Sequence, residues 1–200
     1  MAKIAVIYYS STGHVHQLAQ AIQAGAEEAG AEVRLRRAAE LAPEAVIRSQ
    51  DAWNEHYVAT KDTVAEATND DLEWADGLAF GTPTRYGLPT AQLKQFIDQT
   101  GPLWGAGKLA GKAATSFTSA QNAHGGQEST ILALNNIYYH WGAIIVPPGY
   151  TDPALFEAGG NPYGTSWPTG GGESTVPEAI ATAARIQGRR LAEYATKLTA

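Results

Sequence analysis

Cysteine is absent from the 200 residues of this chain. No disulfide framework, thiolate metal site or cysteine nucleophile can therefore be built. Long apolar runs are missing as well: none approaches the roughly 20 residues that span a bilayer. The start, Met1-Ala-Lys-Ile-Ala-Val-Ile-Tyr-Tyr9, holds one basic residue and an apolar stretch that stops at Ser10, too short for a signal-peptide core. A soluble cytoplasmic protein without membrane insertion is expected. Positive charge is in short supply, with 14 Lys and Arg against 20 Asp and Glu and a net charge of -6. Duplex binding draws most of its affinity from Lys and Arg on phosphates, and Arg34, Arg36, Arg37, Arg189 and Arg190 all fall inside regular elements. Direct nucleic-acid contact is not expected. His14 and His16 are two apart on a helix and face no common ligand. With no H-E-x-x-H pattern either, no metal site is expected. No G-x-S-x-G elbow is present.

What is present is an alternation of strand and helix patterns. Lys3 to Tyr9 is a near-continuous apolar run, as in a strand covered on both faces. Val15, Leu18, Ala19, Ile22, Ala26 and Ala29 make one helical stripe that Gly30 stops. Glu32 to Ala38 reads as a second strand, Asp71 to Ala75 as a short helix and Asp76 to Gly81 as a third strand. Ala91 to Thr100 is a helix with Leu93, Phe96 and Ile97 inward. Lys112 to Ser119 is a fourth strand, followed by a helix over Gln127 to Trp141 and a fifth strand over Ala143 to Pro147. The last helix opens at Thr175-Val-Pro-Glu178, a capping-box pattern, with Ile180, Ala184, Leu191, Tyr194 and Leu198 inward. The whole of 1–200 reads as one domain. Residues 40–70, polar and weakly periodic around Trp53 and Tyr57, form an excursion from it, and 149–174 is a long Gly/Pro-rich loop of the kind that is functional or disordered. Five strands alternating with helices imply a parallel sheet with helices on both faces. Ligands bind such sheets at the carboxyl ends of the strands, where the strand order reverses.

Three polar loops lie at that edge. Strand one runs into Ser10-Ser11-Thr12-Gly13-His14, where three hydroxyls and the free amides of a helix start can ligate a phosphate. Without GK[ST] it is not a Walker A loop, nor has it a dinucleotide glycine spacing; a cradle of neutral donors suits a monoester phosphate. Taken alone, the segment reads better as a turn with a capping serine, and its place after strand one of an α/β chain reverses that preference. Strand three ends in Gly81-Thr-Pro-Thr-Arg-Tyr-Gly-Leu-Pro89, a shaped turn presenting Thr84, Arg85 and Tyr86, or simply a tight strand-to-helix turn. Strand four ends in Ser119-Ala-Gln-Asn-Ala-His-Gly-Gly126, with Gln121, Asn122 and His124 as polar groups. The convergence of the three is stronger than any one loop.

Tyr8-Tyr-Ser-Ser-Thr-Gly-His14, Gly81-Thr-Pro-Thr-Arg-Tyr-Gly87, Asp98-Gln-Thr-Gly-Pro-Leu-Trp104 and Gly125-Gly-Gln-Glu128 together resemble the WrbA family of NAD(P)H:quinone oxidoreductases. Val146-Pro-Pro-Gly-Tyr150 and Asn161-Pro-Tyr-Gly164 extend the resemblance over nearly the whole chain. It implies an α/β, flavodoxin-like, doubly wound five-stranded parallel sheet of order 2-1-3-4-5. It also implies FMN as cofactor, NAD(P)H and a quinone as substrates, and a homotetramer whose sites are completed by neighbouring subunits. By the same resemblance Ser10, Ser11, Thr12, Gly13, His14 and Val15 hold the FMN phosphate. Pro83, Thr84, Arg85, Tyr86 and Gly87 flank the flavin ring, Ser119, Ala120, Gln121, Asn122 and Gly125 bind its other edge, and His140 contacts it. Trp104, Tyr86 and Thr12 fall on the substrate side. Thr12 stands where the family usually has an aromatic, and the fourth-strand loop is one residue longer and poorer in Gly and Thr. The leading expectation is an FMN-dependent enzyme moving two electrons from NAD(P)H to quinones, with no obligatory acid–base residue. The alternatives are a non-enzymatic flavodoxin-type electron carrier and a regulatory binding module.

Overall fold

The computed structural model describes residues 1–199. Its first strand, β1 (Lys3–Tyr8), is buried on both faces: Ile4, Val6 and Tyr8 enter one core cluster and Ala5 and Ile7 the other. Helix α1 (His14–Glu28) follows and ends at Gly30, whose φ of +82° lets the amides of Gly30 and Ala31 turn back to the carbonyls of Glu27 and Ala26. This is the left-handed glycine stop; Ala29, expected inward, lies beyond the stripe and is exposed. Strand β2 (Glu32–Arg37) pairs with β1 at the sheet edge.

Residues 40–70 carry two helices, α2 (Glu44–Arg48) and α3 (Asp51–Thr60), before α4 (Asn69–Trp74). A capping box does occur in the chain, but at Thr68 and Asp71 on α4. The expected one at Thr175 does not form. Pro177 caps the last helix in an extended conformation (ψ 143°), which leaves Thr175 too far upstream to reach the first turn.

Strand β3 (Gly77–Pro83), α5 (Ala91–Asp98), a short helix α6 (Gly101–Gly105), β4 (Ala113–Ala120) and α7 (Gln127–Trp141) complete the central layers. All pairings are parallel and the order is β2-β1-β3-β4, then an edge position beside β4. Two separate pieces fill that edge. Strand β5 is only Ile144–Ile145, against Ala113 and Ala114, because Pro147 and Pro148 carry no amide to continue the ladder. Strand β6 (Ser166–Pro168) pairs Thr118 to Ala120 at the other end. The 149–174 segment is therefore not a plain loop: it holds α8 (Ala154–Glu157) and β6, anchored by the fully buried Trp167. The order 2-1-3-4-5 is as expected, with a sixth strand added.

Helix α9 (Glu178–Leu198) lies across α1 on one face, while α5 and α7 cover the other. Ile180, Ala184 and Leu191 point inward, but Leu198 is 46% exposed and Tyr194 is half-buried beneath Arg190 and Lys197. Two glycines set the α1–α9 separation. A Cβ on Gly25 would lie 1.9 Å from the Arg185 carbonyl oxygen, and one on Gly188 would lie 2.0 Å from that of Ile22. No helix among the described residues is long and apolar enough to cross a membrane.

In an exposed helix interior, Gly→Ala is favourable by about 1 kcal/mol. Here the new methyl meets backbone that only a shift of the whole helix can clear, so Gly188→Ala is expected to destabilise by about 1–3 kcal/mol. Urea unfolding with an unchanged m-value is the check; a stabilised variant would contradict the packing argument.

Candidate active site

Parallel register brings the strand exits level. Tyr8 pairs with Gly81, Gly81 with Phe117, and Pro83 with Ser119. Gly81 is needed there, since a Cβ would sit 2.2 Å from Cε2 of Phe117. The exit loops are also tied to one another. The Arg85 guanidinium reaches Ser11 Oγ at 3.4 Å, Thr84 N–H donates to the Ser119 carbonyl at 2.9 Å, and Thr130 Oγ1 donates to Thr84 Oγ1 at 2.8 Å. Gly126 and Gly87 meet backbone to backbone, so that a Cβ on Gly126 would lie 2.9 Å from Gly87 Cα.

The loop after β1 closes on itself: Gly13, at φ +89°, donates its N–H to Ser10 Oγ at 3.0 Å and sits at the N-cap of α1 with no side-chain cap of its own. The first-turn amides of α1 thus have neither an intrahelical acceptor nor a capping side chain. The Ser10 and Ser11 hydroxyls are half-buried and Thr12 is exposed, whereas the Val15 side chain is in the core and only its backbone can take part. His14 bridges outward: Nδ1 lies 2.8 Å from Thr12 Oγ1, Nε2 donates to the Glu173 carbonyl at 2.7 Å, and its ring stands edge-on to Trp167. Hydroxyls and amides without a carboxylate are a donor set that fits a phosphate group.

The loop after β3 is a tight hairpin in which Arg85 and Leu88 exchange backbone hydrogen bonds and Gly87 N–H donates to Thr84 Oγ1. At its tip Tyr86 is held at φ +54° with its side chain fully exposed. Left-handed backbone at a bulky residue costs about 1–3 kcal/mol and persists where the surroundings over-determine it, often at ligand sites. In the loop after β4, Gln121 and Asn122 are exposed beside Pro168 and Gly170, while Ser119 and Ala120 are buried. Gly125 packs so tightly that a Cβ would be 2.6 Å from that of Ala120.

Trp104 and His140 are elsewhere. Trp104 Nε1 donates to the His140 carbonyl at 2.9 Å, and the two line a groove with Lys94, Ile97, Asp98 and Ile137. That groove is at the far end of α7, whose 15 residues span about 22 Å at 1.5 Å per residue. Within one chain, Thr12 and Tyr86 therefore share the carboxyl edge, and Trp104 and His140 do not.

Sequence reasoning missed the part played by 40–70. Helix α3 lies over the ends of β1 and β2, where Tyr8, Tyr9, Ser10, Glu40, Trp53 and His56 enclose a small cavity. Glu40 there accepts from Tyr9 OH (2.8 Å), Trp53 Nε1 (3.1 Å), Gln92 Nε2 (2.9 Å) and the amides of Leu41 and Ala42. Burial opposes its charge, but these donors outweigh it and hold the carboxyl below its usual range. Burial, helped by His16 and His14, pushes His56 down to about 4, and burial lowers His16 too. The signal available was a cluster of Trp53, His56 and Tyr57, without the periodicity that would have shown where it faces.

The profile of the NADPH-dependent FMN reductase family matches residues 2–152. A protein of Deinococcus radiodurans named NAD(P)H dehydrogenase (quinone) is 48% identical over 196 residues, covering 98% of this chain and 96% of that one. One of the same name from Sinorhizobium fredii is 44% identical over 203 residues, with 99% of each chain covered. Among solved structures, a WrbA-like flavodoxin from Agrobacterium tumefaciens has a TM-score of 0.65 at 24% identity, covering 98% of this chain and 99% of its own. The resemblance drawn from the motifs is borne out.

The lowered His56 has a consequence for stability. Its folded pKa of about 4 lies below the unfolded value of about 6.5, so the unfolded chain binds more protons in that window and stability rises with pH across it. Stability of the flavin-free protein should fall as pH drops from 6.5 towards 4, with Glu40 adding its loss only below the usual carboxylate range. Urea titrations at several pH values should show His56→Gln flattening the slope between 6.5 and 4. An unchanged slope would put the effect elsewhere.

Proposed function

The chain belongs to the NADPH-dependent FMN reductase family, and on that premise we propose that it is an FMN-dependent oxidoreductase carrying two electrons from NAD(P)H to quinones. One observation carries the reading: three loops rich in neutral donors are cross-linked at a single carboxyl edge, with an exposed aromatic held there at the expense of backbone strain. The relatives named NAD(P)H dehydrogenase (quinone) support the same substrates.

In this reading Ser10, Ser11, Thr12 and Gly13, with the amides of His14 and Val15, hold the phosphate of FMN. Pro83, Thr84, Arg85, Tyr86 and Gly87 bound one side of the flavin ring, and Ser119, Ala120, Gln121, Asn122 and Gly125 the other. When bound, FMN supplies the redox chemistry, accepting a hydride from reduced nicotinamide and returning the electron pair to a quinone. The protein's share is to bind and orient. Charge-assisted hydrogen bonds to the phosphate are worth about 1.5–3 kcal/mol each, and Tyr86 offers a flat ring a stacking wall worth about 0.5–1.5 kcal/mol beyond area burial. The cytoplasm, where NAD(P)H is available, is the matching location.

Trp104 and His140 join this site only if other copies of the chain bring them. A homotetramer supplies that, and the exposure of Trp104 (58%) and Tyr139 (70%) at the far end of α7 supports it. The departure from the family at Thr12 leaves the substrate side of the phosphate loop without its aromatic, which gives Tyr86 and Trp104 the larger share of ring contact.

Purified protein is expected to bind one FMN per chain, far more tightly than riboflavin, and to turn over NAD(P)H with benzoquinone. No FMN binding would sink the reading, and binding without turnover would favour the electron carrier. Tyr86→Gly removes both the strain and the ring, so melting temperature should rise while the second-order rate constant for quinone falls. Light scattering at micromolar concentration should give four chains. Trp104→Ala should keep FMN stoichiometry and lower that quinone rate constant about tenfold, equivalent to 1.4 kcal/mol of transition-state stabilisation. A monomer with wild-type quinone kinetics in Trp104→Ala would refute the shared site.

A further inference from the structure

The loop after β1 offers a phosphate only hydroxyls, amides and imidazoles from its own sequence, with Arg85 reaching Ser11 from the neighbouring loop. A phosphate monoester carries about -1.5 to -2 charge at pH 7. Directly against this loop lies His56 of α3: its Nδ1 is 3.4 Å from where a Cβ on Gly13 would be, and its ring centroid is 5.4 Å from that of His16.

Three imidazoles cluster here, and their hydrogen bonds separate them. Burial pushes the Tyr8 hydroxyl well above its ordinary range, so it stays protonated, and it shares a 2.5 Å hydrogen bond with His16 Nδ1. His14 uses both nitrogens, one on the Glu173 carbonyl and one with Thr12 Oγ1. His56 is different. Among the described residues, neither of its ring nitrogens has a hydrogen-bond partner, although the residue is half-buried.

We propose that His56 is the charge partner of the FMN phosphate, neutral in the flavin-free protein and protonated from solvent when the phosphate docks at the start of α1. This rests on the flavin reading above and assigns a purpose to the 40–70 excursion, which holds the ring against Gly13. The groups facing His56 favour neutrality until an anion arrives. From α1 come His14, His16 and the positive end of the helix; from β1, the protonated Tyr8. Arg37, at the end of β2, is paired with Glu66, and the Glu40 carboxylate is taken up by Tyr9, Trp53 and Gln92. Tyr57, on α3 itself, lines the same cavity. A dianion within a few ångströms reverses the balance, because an opposite charge favours the charged imidazole.

The test follows the His56 ring by NMR across pH in three samples: protein alone, protein with riboflavin, and protein saturated with FMN, with His56→Gln used to assign the signal. The ring should titrate near 4 alone and with riboflavin, and above about 6 with FMN. In parallel, the FMN dissociation constants of wild type and His56→Gln are compared at pH 8 and pH 5. Their ratio should move at least about tenfold in favour of wild type at the lower pH, the phosphate's own titration cancelling because both proteins bind the same ligand. Should the ring titrate alike with FMN and with riboflavin, or the ratio stay constant, the proposal is overturned while the flavin reading stands. If FMN binds at no pH, the flavin reading falls and takes this one with it.

Discussion

Everything at the carboxyl edge depends on the parallel pairing of β1, β3 and β4. In an antiparallel sheet the three exits would alternate between edges. Here they share one, and the register pairs Tyr8 with Gly81 and Gly81 with Phe117, so that the loops leave at the same height. Only then can short contacts such as Gly126 on Gly87 and Arg85 on Ser11 join them into one surface. Parallel strands need crossover helices, and the separation of α1 from α9 is fixed by Gly25 and Gly188, each in contact with the opposing backbone. The position of the loop after β1, at the front of α1, is thus set by two glycines on the back of the same layer.

The parts legible in the sequence are those with strong period or punctuation. Helix α7 falls on Gln127–Trp141 as its flanking glycines indicate, and the first three strands lie within two residues of expectation. What escaped was specified by tertiary contact. Strand β6 is three residues long, ends in a proline and lies among glycines, so no local pattern marks it; Trp167, buried against His14, is what makes it a strand. Thr175-Val-Pro-Glu178 had the letters of a capping box, yet Pro177 fixes an extended conformation there and the box is formed by Thr68 and Asp71 instead. The 40–70 excursion failed for the opposite reason: α3 buries only Thr60 fully, so its amphipathic signal is weak however firmly Glu40 and its partners hold it.

The site residues divide along the same line. Those on exit loops are placed by topology, and the alternation of strand and helix patterns in the sequence already puts them at one edge. Trp104 and His140 follow helices back to the opposite edge, and the same topology that gathers the loops separates these two from them. A site common to all of them is therefore not a property of one fold; only the association proposed above would bring these two to it. A motif shows that residues belong together in a function, whereas strand direction decides whether one chain can bring them together.

Thr12, the departure from the family pattern in the phosphate loop, has a structural consequence of its own. An aromatic there would carry no hydroxyl on its Cβ to meet His14 Nδ1. With threonine, a chain of hydrogen bonds runs from Thr12 through the His14 ring to the Glu173 carbonyl, while Gln17 joins the same segment at Ser174 and Val176. Glu173 in turn accepts from Trp167 Nε1 with its carboxylate. The Gly-rich stretch after β6, with little burial of its own, is thereby fastened to the first turn of α1. A loop that would otherwise cost conformational entropy to order on ligand binding is ordered beforehand. In the proposed site, threonine at this position would exchange a stacking surface for rigidity in the loop and leave ring contact to Tyr86, whose strained backbone keeps its side chain in the open.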